Sequence, residues 1–144
     1  MTRRKKKLVW TFTVVLGVSM FIGAASQYVM SAEWARTKVT TLLKQEMEDV
    51  DGKIVRVVEL NVGPGGTSPA HTHPGHIFGY VVEGEFEVGM NDDPPKLYKA
   101  GEVFYEPAGV IHRVGRNPSE TVPARVVAFM FLDKGKLSTR PHFH

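Results

Sequence analysis

The apolar and polar positions of this chain change rhythm as it proceeds. After the basic stretch "TRRKKK", Leu8 to Ala25 form 18 residues without a charge. A basic segment before such a run is the pattern of an exported or membrane-anchored protein whose basic end stays inside. The run is long for a signal peptide and short for a spanning helix. Ala24, Ala25, Ser26, Ser31 and Ala32 offer small residues for cleavage, without a clean A-x-A motif. Residues 1–32 therefore read as an apolar helix that is either a signal peptide or an anchor. The rest of the protein is expected outside the cytoplasm, membrane-bound through residues 8–25 if uncleaved and periplasmic or secreted if cleaved.

Next, Trp34, Val39, Leu42, Leu43 and Met47 follow a helical stripe with charges between them, which predicts a short amphipathic helix or linker over 33–52. From Lys53 the period drops to two. "KIVRVVELNVG" predicts a strand, and "GPGGTSPA" breaks it. "IFGYVVEGEFEVGM" predicts two strands joined as a hairpin at Glu83-Gly84. "KLYKAGEVFYEPAGVIHRVGR" adds short strands punctuated by Gly101, Pro107 and Gly109, and Ala124 to Leu132 a last, buried one. Short strands at this density predict an all-β sandwich or barrel over 53–134. Residues 135–144, ending in "RPHFH", read as a flexible tail.

Composition changes this picture little. At 144 residues the chain is one domain with a modest core. The net charge of +3 is carried by the basic N-terminal stretch, since the remainder has 13 basic against 15 acidic residues. That balance gives no footprint for nucleic acid. The chain has no cysteine, which excludes disulfides, zinc-thiolate sites and a thiol nucleophile. There is no Ser/His/Asp arrangement or phosphate loop either; "GPGG" lacks the Lys-Ser/Thr that would give its glycines that meaning.

The histidines carry the chemistry. His71, His73, His76 and His112 lie in the β region, and His142 and His144 in the tail. On an extended strand His71 and His73 share one face, roughly 7 Å apart along the chain. Two imidazoles so placed can share a cation at about 2.0–2.1 Å from each nitrogen. His112 is the candidate third ligand, because the turn made by Pro107 and Gly109 would aim its strand back across the barrel. A lone H-x-H on a strand is more often structural; the placement of His112 is what raises the metal reading.

Those residues resemble the motifs of the cupin superfamily, G-x5-H-x-H-x3,4-E-x6-G and G-x5-P-x-G-x2-H-x3-N. Here Gly65 leads to His71, Thr72 and His73, and the first motif closes on Gly84. Gly101, Pro107, Gly109 and His112 stand in register for the second, with Arg116 at the place of the Asn and Asn117 one residue later. The resemblance spans Lys53 to Leu132. It implies a jelly-roll-like double-stranded β-barrel with one metal inside its mouth, and a homodimer through sheet edges.

The resemblance breaks at a ligand, since Ile77 occupies the position of the glutamate, beside His76. Three readings stand. His76 replaces the carboxylate through a bulge in the "HPGH" turn; three imidazoles hold the metal with more open positions; or the site is empty. A one-residue shift in a regular strand reverses the side chain, so His76 is no automatic substitute. Without the carboxylate a divalent ion would keep its full charge and act as a stronger Lewis acid. Imidazole ligation suits Zn, Fe, Cu or Ni.

Other residues are weaker candidates. Phe78, Tyr80, Phe86, Phe104, Phe129, Met130 and Phe131 read as core before mouth lining. Tyr105 and Glu106 precede the Pro-x-Gly turn and could exchange protons with a ligand, but Glu106, beside Pro107, is expected to face solvent. Glu83, Glu85, Arg113 and Arg116 read as solvated surface. Two function classes follow: a metal-dependent oxygenase, lyase or isomerase acting on a small molecule, or a non-catalytic module that binds or senses a metal or small ligand.

Overall fold

The structure, a computed structural model, describes residues 36–142. The apolar run, Trp34 and His144 lie outside them. Among the described residues every regular element is a strand: β1 (Thr37–Glu46), β2 (Lys53–Val62), β3 (Thr67–Ser68), β4 (His71–Thr72), β5 (His76–Glu83), β6 (Glu85–Met90), β7 (Lys96–Lys99), β8 (Val103–Glu106), β9 (Ile111–Arg116), β10 (Ala124–Asp133) and β11 (Arg140–Pro141). They form two antiparallel sheets. One runs β1-β2-β10-β5-β8, and the other β11-β4-β9-β6-β7 with β3 also on β9. Among the described residues no helix is long and apolar enough to cross a membrane.

The core follows from alternation. In β10, Ala124, Val126, Ala128, Met130 and Leu132 point inward. They pack with Val62, Val81, Phe86, Val88 and Phe104 at one end, and with Ile54, Val58 and Ile77 at the other. Phe86, Phe104 and Met130 are thus core as expected. Phe78, Tyr80, Phe129 and Phe131 are not: each is near 40 % exposed on the outer face of the five-stranded sheet. Their strands place them one residue out of phase with the core positions.

Two elements differ from the sequence reading. The helix expected over 33–52 is the edge strand β1 over Thr37–Glu46, paired with β2 along its length. A register shift between Thr41 and Leu43 puts an irregularity in that strand. The shift breaks the period of two and leaves Leu42 and Leu43 at a spacing that imitates a helix. The hairpin expected at Glu83-Gly84 is a corner instead. β5 pairs with β8 and β10, whereas β6 pairs with β7 and β9 in the other sheet. One residue, Gly84 at φ 72°, makes the turn, too short a link to fold two strands onto each other.

The end of the chain also departs from a free tail. Arg140 and Pro141 pair with Thr72 and His71, and the amide of His142 donates to the carbonyl of Ala70. Residues 138–142 are therefore part of the barrel wall beside the histidines.

Candidate metal centre

The barrel brings His71, His73 and His112 together. Their nearest ring nitrogens lie within 4.8 Å of one another. Cross-strand register does this, because His71 on β4 stands directly opposite His112 on β9. His73 follows β4, and its carbonyl accepts a hydrogen bond from the amide of Gly109 at 2.8 Å. The Pro-x-Gly turn of the second motif is thereby tied to the first. Gly109 adopts φ 77°, a left-handed conformation that a side chain would strain. Gly115 serves differently: a Cβ there would come within 2.9 Å of Nε2 of His112.

The hydrogen bonds fix the tautomers. Nδ1 of His71 donates to the Pro69 carbonyl at 2.7 Å, and Nδ1 of His73 to the Ser138 carbonyl at 2.6 Å. A carbonyl can only accept, so both protons sit on Nδ1 and both Nε2 atoms carry bare lone pairs. Those two Nε2 atoms face each other at 3.1 Å. Two lone pairs cannot bond one another; a cation between them would satisfy both. Nitrogens at this separation can each reach one ion at about 2.0–2.1 Å, and carbonyl-anchored imidazoles are the usual outer-shell arrangement of such a site.

Burial sets the protonation of the site. It lowers His73 to about 4 and His112 to about 3, against a raising bond from Ser138 and with added repulsion from the neighbouring imidazoles. His71 is lowered too, burial outweighing its Pro69 bond. All three are neutral at pH 7, the form that binds metal.

Glu106 lies beside the cluster, and it is not where the sequence reading put it. It is 3 % exposed. Its Oε1 lies 3.3 Å from Nδ1 of His112, and its Oε2 3.8 Å from Nε2 of His73. Pro107 does not turn it outward, since the residue before a proline is held extended. The alternation of β8 therefore continues, with Val103 and Tyr105 out and Phe104 and Glu106 in. The inward Phe104 was the available signal. Burial raises the Glu106 carboxyl to about 7, while it lowers His112. Their contact is thus no ion pair: each is driven toward its neutral form. Oε2 of Glu106 and both ring nitrogens of His112 are buried without a well-formed hydrogen bond. Such orphaned atoms cost about 1–3 kcal/mol each, and a cation among them would use their lone pairs.

His76 stands apart from this group. It is exposed at the start of β5, and its Nδ1 is hydrogen-bonded to the Tyr105 hydroxyl at 2.7 Å. Arg116 pairs with Glu87 and Arg113 with Asp92, both near the surface. Asn117, 1 % exposed, anchors the loop through Val62, Gly63 and Val122 carbonyls. Arg56 was not singled out by the sequence reading. Register places it on the inner face, in one row with Met130, Ile77 and Glu106. Its guanidinium is held by hydroxyls, Thr41 Oγ1 at 2.7 Å and Ser138 Oγ at 2.8 Å.

Known proteins resemble this chain in sequence and fold. A germin-like protein of Arabidopsis thaliana (subfamily 2 member 2) is 38 % identical over 78 residues, which are 49 % of this chain and 36 % of that protein. The chain spans well under half the length of the curated relatives it matches. A solved double-stranded β-helix protein of Klebsiella pneumoniae superposes with a TM-score of 0.56 at 18 % identity, covering 74 % of this chain and 86 % of that one. An oxalate oxidase structure does so with a TM-score of 0.54 at 26 % identity, covering 74 % of this chain and 55 % of that one. A family profile described as the cupin domain matches residues 58–131, from within β2 to nearly the end of β10. That is more than half of the 144 residues, and the chain belongs to the cupin family.

Proposed function

We propose that the protein is a metal-dependent enzyme of the cell envelope, of the oxygenase, lyase or isomerase type, acting on a small molecule. The observation that carries this reading is the pair of Nε2 lone pairs on His71 and His73, 3.1 Å apart and each fixed by a carbonyl at its own Nδ1. His71, His73 and His112 would hold one divalent ion, Zn, Fe, Cu or Ni, matching imidazole donors. When bound, such an ion polarises a ligand oxygen as a Lewis acid and, for Fe or Cu, adds redox chemistry.

The chain's own residues prepare that chemistry. Burial keeps the imidazoles neutral, the Pro69 and Ser138 carbonyls aim two of them, and the apolar cluster around Ile77 and Met130 restricts water on one side. Arg56 supports an acidic substrate, because its inward guanidinium is held by two hydroxyls and forms no ion pair among the described residues. The likeness to an oxalate oxidase makes small carboxylic acids the first class to test. The basic segment before the apolar run at 8–25 supports export. The exposed aromatic face of the five-stranded sheet supports a contact with a partner, though one through the sheet's face and not the edge-to-edge homodimer that the family resemblance suggests.

The competing reading, a non-catalytic module binding a metal or small ligand, is favoured by one observation. Among the described residues Glu106 is the carboxylate found against the triad; if it serves the metal, it is not free as a general base. The test is a screen of small carboxylic acids against metal-loaded protein. Turnover that His112→Ala abolishes supports the enzyme. Saturable binding without turnover overturns it in favour of the module.

A further inference from the structure

We infer that Glu106 takes the ligand place that Ile77 leaves vacant, the carboxylate of the metal site having moved across the sheet from β5 to β8. The inference rests on the metal reading above and adds a donor to it.

Ile77 and Glu106 are direct antiparallel partners, so their Cβ atoms are about 4.5–5.5 Å apart on one face of the sheet. Both point inward, at 2 % and 3 % exposure. A glutamate side chain is long enough to cover that offset and reach the space in front of its neighbour. Glu106 is directed at the histidines, its two oxygens standing 3.3 Å from Nδ1 of His112 and 3.8 Å from Nε2 of His73. One of those oxygens has no hydrogen-bond partner at all, although it is fully buried. A carboxylate kept only to fill space would be replaced by an apolar residue at lower cost.

The position it would vacate is consistent. Ile77 packs with Ile54, Val58, Ala128, Met130 and Leu132, so the original ligand position has joined the apolar core. A glutamate at both positions would crowd two buried carboxylates together. His76 does not compete, since it lies on the opposite face with Tyr105. Three neutral imidazoles and one carboxylate would leave a divalent ion with a net charge of +1, so the departure at Ile77 does not mean a carboxylate-free site.

Metal-stripped protein is titrated with Zn(II) against a chromophoric chelator, for wild type, Glu106→Gln, Glu106→Ile, Ile77→Glu with Glu106→Ile, and His73→Ala. Either Glu106 variant is expected to lose more than about 100-fold in affinity, beyond the 10–100-fold cost of removing an outer-shell partner. The swapped double variant should regain most of it, because it returns a carboxylate to the partner position. Co(II)-loaded Glu106→Gln should show a visible spectrum different from wild type, a readout that a merely structural role would not move. Thermal melts of the metal-free variants establish folding; if the double variant does not fold, the Gln affinity and the Co(II) spectrum decide. Tight wild-type binding with an unchanged Glu106→Gln affinity and spectrum overturns this inference alone. Folded wild type that binds no metal overturns the metal reading, and this inference with it.

Discussion

On the outer face of the β5–β8 pair, His76 and Tyr105 meet in water, one ring stacked near the other and their polar atoms hydrogen-bonded at 2.7 Å. On the inner face, one residue along each strand, Ile77 and Glu106 lie side by side, with Glu106 against His73 and His112. Both faces carry titratable groups. The outer pair satisfies its own hydrogen bond and keeps its solvent. The inner group is desolvated, its acid is raised and its imidazoles lowered, and several of its lone pairs have no partner. A cation site is made by what burial leaves unsatisfied, more than by which residue types happen to be near one another.

The contrast breaks most sharply at the imidazoles. His73→Ala, which removes one of the two facing Nε2 atoms and the link to Ser138, should reduce metal affinity by on the order of a thousand-fold or more, read by chelator competition. Loss of a ligand must exceed the 10–100-fold cost of an outer-shell partner. An affinity within tenfold of wild type would place the ion elsewhere.

Next in size is a pH effect in metal-free protein. The folded pKa of Glu106, about 7, lies above its ordinary 4.5, so the folded state binds more protons than the unfolded state between those values. Stability contributed by the neutral acid is therefore present below about pH 4.5 and lost as pH rises through 7. The loss is about 3 kcal/mol at most. His73 and His112 act in the opposite sense. Lowered to about 4 and about 3, they add stability as pH rises toward 6.5. The difference between wild type and Glu106→Gln in denaturant melts across pH 4.5–8 isolates the acid. Parallel curves would show that Glu106 is solvated like the outer face.

A smaller effect tests the wall between the faces. Truncation after Leu137 removes the Ser138 carbonyl that fixes the His73 tautomer, and should weaken metal binding about 10–100-fold. Ser138→Ala keeps that carbonyl and should leave affinity nearly unchanged. Smallest is His76→Ala, for which metal affinity should equal wild type and stability shift by about 0.5 kcal/mol, as for other surface changes. A large loss of metal on His76→Ala would erase the distinction between the two faces.

The strands of the core and the three converging histidines were legible because alternation, turn residues and motif spacing all pointed to the same barrel. Three features were not. β1 gains most of its order from backbone pairing with β2, with only Thr37 and Thr40 partly covered, so burial imprinted no period of two on it. Gly84 reads as a hairpin turn until the partners of β5 and β6 are known, and pairing between distant strands leaves no local trace. Glu106 was legible in principle, from the parity set by Phe104, and was obscured by the assumption that a residue next to proline faces out. The role of Ser138 was beyond sequence reading altogether, since a backbone carbonyl carries no residue signature. What looked like a missing carboxylate at Ile77 is a question of strand partners, which a motif counted along one strand cannot answer.

The central question is whether these inward groups hold a metal. Elemental analysis of wild-type protein, purified from its own cells without chelators, tests that most directly. Close to one first-row transition ion per chain is the expected result. Folded protein with no stoichiometric metal, unable to take one up when supplied, would contradict it.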